Sequence, residues 1–155
     1  MESLTSNNLV MAEVHYIKGS ININSNAKEV WNALTNPRYI KLYMDANIDT
    51  DWQTGSEITW QTENSGMHIQ HKGKVLAIDN NKLLKYSYSG NIHEADDSED
   101  NYSIISWNIE NSMDGLTTLT YQRENISTLE ERAMLEEQMP LMLEEIKRIA
   151  EQEAV

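Results

Sequence analysis

The end of the chain sets the problem that the rest of it must solve. Leu135, Met139, Met142, Ile146 and Ile149 are spaced by four, three, four and three residues, so a helix carries them as one apolar stripe. The Glu pairs at 130–131, 136–137 and 144–145 fall mostly off that stripe. A long helix starting at Ser127 or Thr128 therefore has one face to bury and an acidic face to keep in water. Pro140 lies inside it. Because proline lacks an N–H and crowds the preceding turn, a kink or restart is expected near Glu136 to Met139.

The partner surface for that stripe comes from strands. In the first of them, from Glu13, His15, Ile17, Gly19, Ile21 and Ile23 fall on one side, and Tyr16, Lys18, Ser20 and Asn22 on the other. Asn26 with Glu29 three residues on reads as a helix N-cap, and Ala27, Val30, Trp31 and Leu34 then recur at helical spacing. Asn36-Pro37 stops that helix, since proline disfavours helical geometry in the residue before it. Residues 38–44 read as a second short helix with Tyr39, Leu42 and Tyr43 available for burial. A short strand is expected at Thr50 to Gln53, then alternating faces at Ile58/Trp60, at His68 to Ile78, at Leu84/Tyr86/Tyr88, at Ile105/Trp107/Ile109 and at Leu119/Tyr121. Asp79-Asn80-Asn81 and Asp114-Gly115 are hairpin signals. The total is about six or seven antiparallel strands.

One strand, two short helices, a run of hairpins and one long helix make an α+β domain. The 155 residues suit one domain, with 1–12 expected to fray and 13–155 to fold. A curved sheet cannot touch a straight helix everywhere, so the arrangement tends to leave space between them. Phenylalanine is absent, while four Trp, seven Tyr and eight Met supply the bulk of any lining.

Charge and composition remove other classes. Twelve Lys and Arg against 25 Asp and Glu leave a net charge of −13, which repels phosphate backbones and anionic headgroups. Neither nucleic acid nor membrane is expected as a partner. The longest apolar runs, Leu9 to Ala12 and Val75 to Ile78, are four residues long, against roughly 20 for a membrane span. No cysteine is present for disulfides, thiolate sites or thiol nucleophiles, and a cytoplasmic location is expected. Residues 94–100 hold five acids in seven but lack the register of a calcium loop, and read as a solvated loop. His68 and His71 stand at an odd offset on one strand and face opposite ways, so no metal site is expected. His15 reads as a satisfied core histidine and His93 as exposed. No cofactor fingerprint or nucleophile elbow occurs.

The segments VWNALTNP (30–37), YIKLYM (39–44), DWQTGSEITW (51–60), GKVLAIDNNKLLKYSY (73–88), DNYS (100–103) and DGLTTLTYQ (114–122), followed by the Glu/Leu-rich helix, occur in order over residues 13–152. The set resembles the branch of the START-like (SRPBCC) helix-grip superfamily named after the activator of heat-shock-protein-90 ATPase. Two departures accompany it. Gln138-Met139 precedes Pro140 where the family often has Gly-Trp, and the large N-terminal domain of the eukaryotic co-chaperone is not in this sequence. The resemblance implies a curved sheet wrapped around the C-terminal helix, with an internal site for an apolar or aromatic small molecule. Expected lining residues are Trp60, Tyr86, Tyr88 and Trp107 on the sheet and Met139, Met142 and Leu143 on the helix, with Trp31, Leu34 and Met44 capping one end. The main alternative is a co-chaperone-like module whose partner is a chaperone ATPase, and a cyclase- or hydrolase-type enzyme ranks third. Either a monomer or a homodimer is compatible with the sequence.

Overall fold

The computed structural model describes residues 15–64, 66–89, 102–112 and 115–153. Residues 1–12, the acidic run at 94–100, His93 and Asp114 lie outside these residues, so the expectations for them fall there too. The elements are β1 (Ile17–Ile23), α1 (Ala27–Thr35), α2 (Pro37–Met44), β2 (Asn47–Asp49), β3 (Glu57–Asn64), β4 (Met67–Asp79), β5 (Leu83–Tyr88), β6 (Ser103–Asn111), β7 (Thr117–Glu124) and α3 (Leu129–Glu153). The seven strands form one antiparallel sheet in the order β1-β7-β6-β5-β4-β3-β2. Every neighbour except β1–β7 is joined in sequence. The short helices carry the chain from one sheet edge to the other, α1 packing against α3 and α2 against β2.

Local chemistry accounts for the element ends. The Asn26 side chain accepts from the Glu29 N–H at 2.8 Å and starts α1. Asn36 closes α1 in extended geometry and caps α2, with Pro37 in the first turn, where its missing N–H costs nothing. Asn81 takes the left-handed conformation in the β4–β5 turn (φ 68°). Thr128 caps α3 by accepting from the Glu131 N–H at 3.0 Å.

Three local expectations are corrected. The short edge strand is Asn47–Asp49, not Thr50 to Gln53. Thr50 Oγ1 accepts from the Trp52 N–H and Asp51 Oδ1 from the Gln53 N–H, and Trp52 sits at φ 58°, so side chain–backbone bonds turn that segment out of the sheet. Leu42 is exposed, because α2 turns Tyr39 and Ile40 inward instead. Finally, α3 runs unbroken through Pro140 with no restart. Proline removes one backbone bond on an exposed face, and a single continuous helix keeps its stripe against the sheet.

The sheet bends along β4. Its first half pairs with β3 and its second with β5, and the register shifts between Val75 and Ala77, a bulge that adds local twist. Gly73 lies two residues before that shift. A Cβ there would sit 1.8 Å from the Ser87 carbonyl oxygen, so only glycine lets the two backbones come this close. On the concave side Ile17, Ile23, Ile58, Trp60, Leu84, Trp107 and Leu119 form the core with Leu143, Ile146, Ile149 and Ala150 of α3. Burial along α3 is uneven. The half from Leu143 onward is buried, whereas Leu135, Met139 and Met142 are only half-covered.

Candidate functional site

The half-covered part of α3 roofs a cavity of about 390 Å³. Its floor comes from Tyr88 on β5 and from Tyr121 and Arg123 on β7, and one wall from Leu42, Tyr43 and Met44 at the end of α2. Leu135, Met139 and Met142 hang from the roof, with Gln138, Leu141 and Glu145 towards the outside. Leu42 and Leu141 are among the most exposed apolar side chains of the described residues, so the cavity borders an apolar rim.

Each structural neighbour has a reason to be there. Gly19 on β1 has no Cβ, and one built there would lie 2.7 Å from the Met139 Cε, so the glycine leaves room for that thioether over the sheet. Tyr43 Oη donates to the Ala33 carbonyl at 2.9 Å, which ties α2 to α1 and fixes the ring at the cavity edge. Burial raises the pKa of Tyr43 well above the usual phenol value. Burial likewise raises Tyr88 and Tyr121, with the Arg123 guanidinium opposing the shift in both. All three hydroxyls are neutral at physiological pH, and with the Tyr43 proton given to Ala33, those of Tyr88 and Tyr121 can donate to a bound acceptor.

Of the ten residues expected to line the site, Met44, Tyr88, Met139 and Met142 border this cavity. The other six do not. Leu34, Trp60, Tyr86, Trp107 and Leu143 are buried in the core, and Trp31 packs half-buried against it. Trp60 packs tilted against Tyr86 and edge-on against Tyr88, with centroids 5.5 and 4.8 Å apart, and Trp107 packs tilted against Tyr121 at 4.6 Å. The Trp107 Nε1–H donates to Tyr86 Oη at 3.1 Å. The wide rings thus stand behind the floor and hold Tyr88 and Tyr121 in place.

Arg123 went unnoticed in the sequence although its signal was present. It continues the inward series Leu119, Tyr121, Arg123 at period two. Cross-strand pairing puts it in the row Ile17–Arg123–Ile105–Tyr86–Val75, where it is the one charge among buried apolar and aromatic side chains. Its Nε is buried and has no hydrogen-bond partner among the described residues.

None of the described histidines lines the cavity. His15 is half-buried, not a core residue, and its Nδ1 is 2.6 Å from the Ile126 carbonyl. His68 lies 3.3 Å from Glu63 in solvent, and His71 meets the Ser89 carbonyl and stacks on Tyr88. No group of three or more His, Asp or Glu among the described residues is placed to hold a metal ion. No described helix is long and apolar enough to cross a membrane.

A seven-stranded antiparallel curved sheet gripping a long C-terminal helix defines a helix-grip α+β protein. Residues 24–151 match the family described as activator of Hsp90 ATPase homolog 1-like protein, and the chain belongs to that family. Among solved structures it is similar to ChR145 from Cytophaga hutchinsonii, with 28% identity, a TM-score of 0.75 and coverage of 89% of this chain and 94% of that one. It shares its fold with MLL2253 from Mesorhizobium loti (20% identity, TM-score 0.72, 90% and 99% covered) and with NE0264 from Nitrosomonas europaea (16%, 0.70, 91% and 97%). No curated protein matches the chain.

Proposed function

We propose that this protein binds an apolar or aromatic small molecule between the sheet and the first half of α3. The observation that carries the reading is the roof: the helix spans the concave face, yet Leu135, Met139 and Met142 leave about 390 Å³ beneath them. That volume falls within the range of roughly 300–1,000 Å³ typical of small-molecule sites, and Met and Leu side chains adapt to ligand shape. The titratable groups at its border are neutral phenols, an arginine and a Glu145 ion-paired to Arg148, a set suited to holding a ligand more than to proton transfer. Calorimetric titration with decan-1-ol and 2-naphthalenemethanol tests the reading. Binding to the wild-type chain that is lost in Met142→Trp, a variant that fills the space, supports it. Equal binding by both proteins rejects the site.

The family's description supports a second reading, a module that contacts a chaperone ATPase. The outward acidic face of α3, with Glu130, Glu137 and Glu144 exposed, would then meet a basic surface. Stimulation of a heat-shock ATPase that fades steeply with added salt is its expected signature, and unchanged ATP turnover at low salt rejects it.

A further inference from the structure

An apolar ligand leaves Arg123 without a role. The residue is more than nine-tenths buried and borders the cavity. A guanidinium keeps its charge at any physiological pH, so a buried one is ordinarily paired with a carboxylate. Here no carboxylate among the described residues lies within 4 Å of it and its Nε is unpartnered; its contacts are a hydrogen bond to the neutral Tyr121 hydroxyl and the Tyr88 ring, 5.1 Å from the centroid. Both partners are uncharged, so the buried positive charge has no counter-charge among the described residues and one donor is left over for something that enters.

We propose that Arg123 receives the carboxylate of an otherwise apolar ligand, so that the site takes hydrophobic carboxylic acids. The inference rests on the small-molecule reading above and deepens it. The planar guanidinium matches a carboxylate in shape, and a charge-assisted hydrogen bond gains strength where water is scarce. The neutral Tyr121 hydroxyl, on the same floor, offers a further donor. A monoanion balances the single cation, whereas a phosphate dianion would leave buried negative charge uncompensated. Two carboxylates face the same region. Glu145 is ion-paired to Arg148, and Glu131, whose charge is felt at Tyr88, accepts from the Ser127 hydroxyl. Both repel anions, so selection falls to the Arg123 contact itself and not to a long-range field.

The test is calorimetric titration of the full chain near neutral pH with two matched pairs, decanoate against decan-1-ol and 2-naphthoate against 2-naphthalenemethanol. The acids are expected to bind the wild type roughly 10- to 100-fold more tightly than the alcohols, the range of a charged hydrogen bond. Arg123→Met brings the acids down to the alcohols' affinity, and Arg123→Lys, which keeps the charge without the fork, recovers part of the preference. If wild-type protein binds acids and alcohols alike, the carboxylate inference fails while the small-molecule reading stands. If neither class binds, both fall. The wild-type comparison needs no variant, so a folding defect in Arg123→Met does not blunt it.

Discussion

The guanidinium carbon of Arg123 lies 5.1 Å from the centroid of the Tyr88 ring, with both side chains on the floor of the cavity. The contact is between a cation on β7 and an aromatic face on β5, two strands separated by β6. It returns about 0.5–2 kcal/mol, the range for cation–π pairs from exposed to desolvated settings. That is less than the several kcal/mol that burying an ion costs after relaxation. The empty site is therefore held above its best energy at one residue.

Replacing Arg123 by Met is accordingly expected to leave the melting temperature of the ligand-free protein unchanged or to raise it. Loss of the Tyr88 contact and of the hydrogen bond to Tyr121 is offset by removal of a buried charge and its unpartnered donor, the latter worth about 1–3 kcal/mol. Thermal denaturation followed by circular dichroism gives the answer. A fall of more than roughly 5 °C, above about 1 kcal/mol for a chain this size, would mean that Arg123 serves the fold instead.

The distinction between core and cavity is the part of the site that the sequence did not yield. Period-two alternation placed Trp60, Tyr86, Tyr88 and Trp107 on the inner face, and all four do point inward. Alternation reports which face a side chain takes, but not how closely the opposing helix covers it. That depends on the irregularity between Val75 and Ala77 and on where α3 lies, both set by long-range contacts. Arg123 is legible by the same period, two residues beyond Tyr121, the last residue of the expected face. The separation is measurable. Trp107→Ala is expected to cost about 3–5 kcal/mol, as for a buried tryptophan, and Met142→Ala, at a half-open position, nearer 1 kcal/mol. Urea unfolding that gives equal costs for the two would place Trp107 at the cavity after all.

Two glycines on the inner sheet separate backbone necessity from cavity shape. At Gly73 the obstacle to a Cβ is the Ser87 backbone, which cannot move without opening the β4–β5 pair. Gly73→Ala should cost about 3 kcal/mol or more, the upper end for overpacking, or prevent folding. At Gly19 the obstacle is the terminal methyl of Met139, the free end of a flexible side chain. Gly19→Ala should change stability by less than about 1 kcal/mol, since alanine suits a strand interior better than glycine. It pushes Met139 into the cavity, so binding of decan-1-ol should weaken while the fold holds. Equal melting temperatures for the two variants would show that the β4–β5 approach is looser than the 1.8 Å contact implies.

The far end of α3 is tied down by a carboxylate, and this makes part of the stability depend on pH. Glu151 Oε2 accepts from the Asn24 N–H at 2.8 Å, at the turn between β1 and α1, and pairs with Lys147 one turn back. The Lys147 contact first, then the Asn24 N–H, lower its pKa from the ordinary value of 4.5. A carboxyl whose pKa is lower in the folded state binds its proton more readily when unfolded. Its stabilisation is therefore complete above pH 4.5 and drains away as the pH falls through the lowered folded value. Glu151→Gln keeps the shape and removes the charge. At pH 7 the variant should melt below wild type, and the two curves should converge as the pH is taken below 4.5, where wild-type Glu151 is itself protonated. Lys147→Met should reproduce most of the deficit at pH 7, because the larger share of the shift comes from that partner. A gap between wild type and Glu151→Gln that persists undiminished in acid would assign the effect to packing around the helix end and not to the carboxylate charge.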